Sequence, residues 1–348
     1  MRKRNWFALF FLGSFLYFNA TSPELSKLTT ELTSSSVLSG TIPSALRAST
    51  PPLDTIPTPL ETAAMLADME EALATEEPEV ITPALRELAD ENFQTALRGR
   101  LMANPTWSKL IRQGRMAVGV VDMNGMNGRG RFGSVNGESM MYAASLPKIA
   151  VLAAAMDAME RGEMKMNAAI DSDLGLMIRK SNNQATTRMI DRVGYSRIER
   201  TMTDPRYQLY DPEHGGGLWV GKRYAAGGAR NPDPMKGLSH AATVDQICRF
   251  YYMVDKGMLV SPERSEMMKK YLVDPGLHHK FVNTLDQLAP NAKFYRKSGS
   301  WKSFHSDSIM VKGPNRNYIL TALIDDPSGE IICRQLAKVI DDLLKQPV

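Results

Sequence analysis

Ser145 and Lys148 stand three residues apart at the head of the run Ala143–Met156, in which no charge occurs between Lys148 and Asp157. On a helix that spacing places both side chains on one face, one turn apart. A helix that is apolar all round belongs at the centre of a domain. A buried ammonium is costly there, so the lysine tends to lose its proton. A neutral lysine beside a serine hydroxyl is a nucleophile with its base. Ser145 also falls at the expected helix N-terminus, where free backbone N–H groups can hold a developing oxyanion. Pro147 is tolerated in a first turn. Ser-x-x-Lys is nevertheless a short pattern that arises by chance, and alone it reads better as the start of a buried helix.

Two further polar groups follow. Ser181-Asn182-Asn183 interrupts a helical stretch over Leu174–Arg192, and Lys297-Ser298-Gly299 lies in a β-like segment. Each has a plain structural reading, as a polar helix break or an exposed strand end. In this order, the three motifs resemble those of the penicillin-recognising serine hydrolases, with class A β-lactamases as the nearest group. The resemblance runs from about Pro83 to Lys345. A second Ser-x-Asn, Ser134-Val135-Asn136, precedes the nucleophile, does not fit the order, and reads as a β-turn.

The resemblance implies roles residue by residue. Ser145 attacks a carbonyl and becomes acylated, Lys148 takes its proton, and Ser181 passes a proton to the leaving nitrogen. Asn183 binds the substrate's amide side chain. Lys297 and Ser298 meet the substrate carboxylate, and Gly299 keeps the strand edge clear. The backbone N–H groups of Ser145 and Ser300 form the oxyanion hole. No cofactor is implied. Two departures stand out. The segment between Lys148 and Ser181 is shorter than in class A enzymes. The class A loop carrying the Glu of deacylation, with Asn four residues on, is missing: Glu213 lies in the right region, but Gly217 stands where Asn is expected. Glu213 is retained as a candidate base against the reading of a solvated loop carboxylate. His305 and Asp307 are further polar candidates whose plain reading is hairpin surface.

The elements that must position these residues can be read from patterning. Thr82-Pro83 resembles a helix cap and first residue, opening a helix to about Arg100 with Leu85, Leu88 and Leu97 inward. Met116–Asp122 and Arg131–Val135 read as strands around a turn at Asn124-Gly125. Tyr195–Met202, Thr243–Asp255 and Ser261–Leu272 read as helices. Asp204–Pro234 is a long glycine-bearing loop, and long loops in compact domains are often functional. Its triple glycine lacks the Gly-Lys-Ser/Thr of a phosphate loop. Asp307–Val311 and Tyr318–Ile324 read as strands. Glu330–Leu344 closes the chain as a helix with Ile331, Leu336, Val339, Ile340 and Leu343 inward. Strands, then helices, then strands predict an α+β fold: an α/β/α sandwich of the β-lactamase/transpeptidase type, its antiparallel sheet packed against helices, with an all-helical subdomain.

The chain ends and composition bound the function. Residues 1–20 carry Arg2-Lys3-Arg4 before the apolar stretch Trp6–Phe18, too short for a bilayer span of about 20 residues and suited to a secretory signal. Ala20 is small as a cleavage site requires, but Phe18 occupies the other position where a small residue is wanted, so the segment acts either as a signal or as a membrane anchor. Residues 21–82 form a Ser/Thr/Pro-rich linker with a loose acidic helix, and residues 83–348 form the hydrolase domain. An extracytoplasmic location follows, periplasmic, secreted or anchored. The net charge of +4 is spread along 348 residues and suggests no nucleic-acid partner. The five histidines show no metal-ligand spacing. Cys248 and Cys333 read as two buried thiols. The predicted activity is acyl-serine hydrolysis, with a small β-lactam or a cell-wall peptide as partner. The alternatives are a D-alanyl-D-alanine peptidase, an esterase on another acyl compound, or a degenerate peptidoglycan-binding domain.

Overall fold

The computed structural model describes residues 84–125 and 130–345; the expectations for residues 1–83, the tip of the Asn124–Gly130 turn and the last three residues lie outside them. Val80–Val348 forms one compact unit. The described chain opens with a 3-10 turn, Leu85–Leu88, followed by helices α1 (Glu91–Met102) and α2 (Pro105–Arg112). The single helix expected up to Arg100 is therefore divided. Ala89 bridges to Phe132, and the Asp90 side chain accepts from Phe93 N to start α1 afresh. Leu85, Leu88 and Leu97 are buried all the same.

Strands β1 (Met116–Asp122), β2 (Arg131–Val135) and the short β3 (Met141–Tyr142) lead to helix α3 (Lys148–Glu160). Helices α4 (Ala168–Arg179), α5 (Asn183–Val193) and α6 (Tyr195–Thr203) follow. The expected long loop contains strand pieces: β4 (Tyr210–Asp211) pairs with β5 (Gly216–Gly217), and β6 (Trp219–Val220) joins β7 (His240–Ala242) beside β3. Helices α7 (Val244–Asp255), α8 (Pro262–Leu272) and α9 (Phe281–Leu288) precede β8 (Lys293–Trp301), β9 (Phe304–Gly313), β10 (Arg316–Asp325) and the closing helix α10 (Gly329–Leu344). Thr243 and Ser261 cap α7 and α8 through their hydroxyls.

The main sheet runs β2-β1-β10-β9-β8, and every neighbouring pair is antiparallel. Alternate residues serve two cores, as the two-residue period of a strand requires. Met116, Val118 and Val120 of β1 meet α1, α2, α9 and α10, whereas Ala117 and Val121 face the larger helical layer containing α3 to α8. Such a sheet between helical layers is the α+β arrangement expected. In α10 the inward residues are Ile332, Cys333, Leu336, Ala337, Ile340 and Leu343, while Ile331 is 57% exposed. The expected stripe was thus one position out at its start: Ile331-Ile332-Cys333 are three apolar residues in succession, and periodicity alone fits either isoleucine.

Helix α3 sits at the centre of the larger core, with every residue from Lys148 to Met159 buried. Cys248 and Cys333 are both buried free thiols in the two different cores, on opposite faces of the sheet. Gly119 explains the close approach of α7 to the sheet, because a Cβ there would lie 2.9 Å from both Cys248 Sγ and Thr321 Oγ1.

Candidate active site

Three positions with positive φ converge on one place. Ala144 (φ 51°) precedes Ser145, and Ser181 (φ 55°) joins α4 to α5. Lys280 (φ 54°) precedes α9. Such backbone costs energy in a non-glycine residue and persists only where the surroundings hold it. Ser145 lies in the turn Ala144–Pro147, one turn ahead of α3, which begins at Lys148 itself. Its N-terminal placement is thus as expected, although the regular helix starts three residues later.

Lys148 is fully buried. Its Nζ donates to the Ser181 carbonyl (2.7 Å) and to Asn183 Oδ1 (2.9 Å), and lies 3.3 Å from Ser181 Oγ. Burial lowers its pKa to about 7. Lys297 reaches the same hydroxyl, donating to Ser181 Oγ at 3.0 Å and to the Ser298 carbonyl at 2.6 Å. Burial, and then the charge of Lys148, hold the Lys297 amine well below its ordinary value. The three motifs thus meet at Ser181, with one hydroxyl between two amines.

Gly299 brings β8 against the turn that carries Ser145: a Cβ there would lie 2.5 Å from both the Ala143 carbonyl and Ser145 N, and 2.8 Å from Leu146 N. Ser306 Oγ of β9 donates to the Ala143 carbonyl (2.7 Å), tying the same turn to the sheet. Ser298 is buried, its Oγ 3.2 Å from His279 Nε2. Ser145, Asn183 and Ser300 line an open cleft of about 800 Å³.

The cleft also contains residues that the sequence did not single out. Tyr224 places its ring 4.5 Å from Lys148 Nζ and donates its hydroxyl to the Ala144 carbonyl at 3.1 Å. Burial raises its phenol well above the ordinary range. His240 packs against Tyr224 with 4.3 Å between centroids and the rings tilted by 45°. Its Nε2 lies 3.0 Å from the Lys222 carbonyl, which can only accept, so Nε2 carries the proton and Nδ1 accepts from Ser239 Oγ. Burial pushes the imidazole down to about 4, so it is neutral near pH 7. Lys222, Arg223, Arg230 and Lys302 line the cleft, and no carboxylate does among the described residues. The Gly-rich loop hinted at Tyr224 only through its length; a tyrosine there bears no motif.

Glu213 is not brought to the cleft. It is exposed on the 3-10 turn Pro212–His214, its N–H donating to Asp211 Oδ1. Asp307 is buried in a pair with Arg296, at 2.7 and 2.8 Å, and serves the fold. His305 packs on Gly329 at the start of α10. Ser134 and Val135 lie in β2 rather than in the β-turn expected, and Asn136 follows the strand with φ 56°, its Nδ2 donating to the Ile111 and Met116 carbonyls at 2.8 Å. Among the described residues no group of His, Cys, Asp and Glu is arranged to hold a metal.

The sequence matches the Beta-lactamase enzyme family over residues 172–344, a span that includes Ser181 and Lys297 and begins after Ser145. The fold is shared with the β-lactamase of Sphaerobacter thermophilus (16% identity, 72% of this chain and 97% of that one, TM-score 0.57). It is also shared with a point mutant of PBP-A in an acyl-enzyme complex with penicillin G (20% identity, 76% and 99%, TM-score 0.55). A class A β-lactamase of Bacteroides cellulosilyticus is similar too (14% identity, 72% and 98%, TM-score 0.54). No curated protein matches the sequence. Fold and matched span together make the chain β-lactamase-like.

Proposed function

We propose that this protein is an exported acyl-serine enzyme that β-lactams acylate readily and leave slowly. The observation that carries the reading is the single hydroxyl of Ser181 held between Lys148 and Lys297, beside a turn that presents Ser145 to a cleft. In acylation Ser145 Oγ forms the bond to the carbonyl carbon while its proton passes to neutral Lys148. The C–N bond then breaks, and the nitrogen takes a proton from Ser181, which Lys148 restores. Ser145 N–H and Ser300 N–H hold the oxyanion. Lys297 and Ser298 recognise the substrate carboxylate, and Asn183 its amide.

Deacylation needs a base that holds water near the ester, and a general base typically contributes 10²–10⁴-fold. Among the described residues the cleft lining supplies no carboxylate. His240 has both nitrogens engaged, and Glu213 lies elsewhere. Incubation with penicillin G should therefore add the penicillin mass to the intact protein and leave it there for many minutes. Ser145→Ala should abolish the adduct, and Glu213→Gln should leave its lifetime unchanged. Rapid turnover with no adduct by mass spectrometry would refute slow deacylation. No adduct and no turnover would favour a peptidase or esterase on another acyl substrate, or a binding role.

A further inference from the structure

Lys280 stands outside the three motifs, yet two costs meet in it. Its backbone adopts φ 54°, and its amine is fully buried. Burial lowers the pKa of that amine. The surroundings hold it in place. Arg296 donates to the Leu277 carbonyl (2.7 Å) and the His279 carbonyl (3.2 Å), while Asp307 accepts from Phe281 N at 3.1 Å. The buried Arg296–Asp307 pair thus clamps the backbone on both sides of Lys280. Its Nζ donates to the Gly299 carbonyl at 2.5 Å and to the Ser306 carbonyl at 3.0 Å.

The Gly299 carbonyl and the Ser300 N–H belong to one peptide group. In a trans peptide these two point in opposite directions, and no cis bond occurs among the described residues. A donor behind the Gly299 carbonyl therefore turns the Ser300 N–H away from Lys280, and Ser300 lines the cleft. The second peptide has the same arrangement. The Ala144 carbonyl, which shares its peptide with Ser145 N–H, accepts from the Tyr224 hydroxyl.

We propose that Lys280 and Tyr224 are positioning residues of the oxyanion hole, each donating to the carbonyl of a peptide whose N–H faces the reacting oxygen. This rests on the acyl-serine reading above. Hydrogen bonds in a chain polarise one another. A carbonyl that accepts makes its own peptide N–H a better donor, and it fixes the peptide plane. Both donors are supplied in advance, so no reorganisation is needed as charge develops.

The test uses the full chain with Tyr224→Phe, which keeps the ring over Lys148 and removes only the hydroxyl, and Lys280→Met, which removes the amine at similar length. Each variant should slow acylation by penicillin G on the order of 10-fold, less than the 10²–10³-fold that follows loss of an oxyanion donor itself. The infrared band of the acyl-enzyme ester carbonyl should move to higher frequency in both, because a less polarised carbonyl is stiffer. The pH dependence of acylation in Tyr224→Phe should keep its midpoint, which separates the effect from a change at Lys148. Should Lys280→Met fail to fold, the Tyr224→Phe rate and band decide. A wild-type adduct with unchanged rate and band in the variants overturns this inference alone. A wild type that forms no penicillin adduct overturns both it and the acylation on which it rests.

Discussion

Lys148 and Lys297 approach one hydroxyl from two sides, and both amines are buried. Two ammonium groups sharing one acceptor disfavour each other's charge, so their protons leave in steps that belong to the pair. With Lys148 at about 7, the amine is protonated below that pH and cannot take the serine proton. The rate of acylation by penicillin should therefore rise with pH to a plateau, with an apparent midpoint near 7, and Lys148→Met should abolish the rising limb. A profile flat from pH 5 to 9 would show that another group accepts the proton. Stability has the same sign. The unfolded lysine holds its proton up to about 10.4, so the burial penalty is full below pH 7 and fades as pH rises from there through the ordinary lysine range.

At the scale of elements, the site depends on one edge strand lying against one turn. A Cβ on Gly299 would meet backbone atoms of that turn, and backbone cannot swing aside as a side chain can. Gly299→Ala should part β8 from the Ser145 turn and cut acylation at least 10²-fold, the loss typical of one misplaced oxyanion donor. The fold should survive at a cost of about 1–3 kcal/mol, the usual price of overpacking, as urea denaturation would measure. Wild-type acylation in this variant would show that the turn has slack. The three motifs were legible because each couples a polar residue type to a fixed local setting: the head of an apolar helix, a helix break, a strand. Tyr224, His240 and Lys280 were not, because loops and, for His240, a three-residue strand bring them in from far along the chain and their neighbours bear no pattern. Helix starts were legible where a side chain caps them, as at Thr243 and Ser261. They were misread where the cap lay inside an apparently continuous helix, as at Asp90.

At the scale of the molecule, the two cysteines occupy different cores on opposite faces of the sheet, so they cannot pair without dismantling it. The chain therefore completes its fold with no internal bridge between them, which suits either side of a membrane. The case for export rests on Arg2-Lys3-Arg4 and Trp6–Phe18. Residues 1–60 fused to a reporter that is active only outside the cytoplasm should give activity, and a reporter silent outside and active inside would place the protein in the cytoplasm.

The cationic cleft has a consequence for how substrate arrives. Arg223 is matched by Asp191 at 2.6 Å, while Lys222, Arg230 and Lys302 add charge around Ser145 with no carboxylate among the described residues of the lining. A cleft of one sign draws in ions of the other and raises the frequency of productive collisions, a gain that dissolved salt screens away. At low substrate concentration, capture of anionic penicillin should slow several-fold as sodium chloride rises from about 10 mM to 1 M, since the screening length shrinks from about 30 to 3 Å. Capture of an uncharged ester should not slow in this way. Equal salt dependence for the two would mean that diffusion into the cleft is blind to charge.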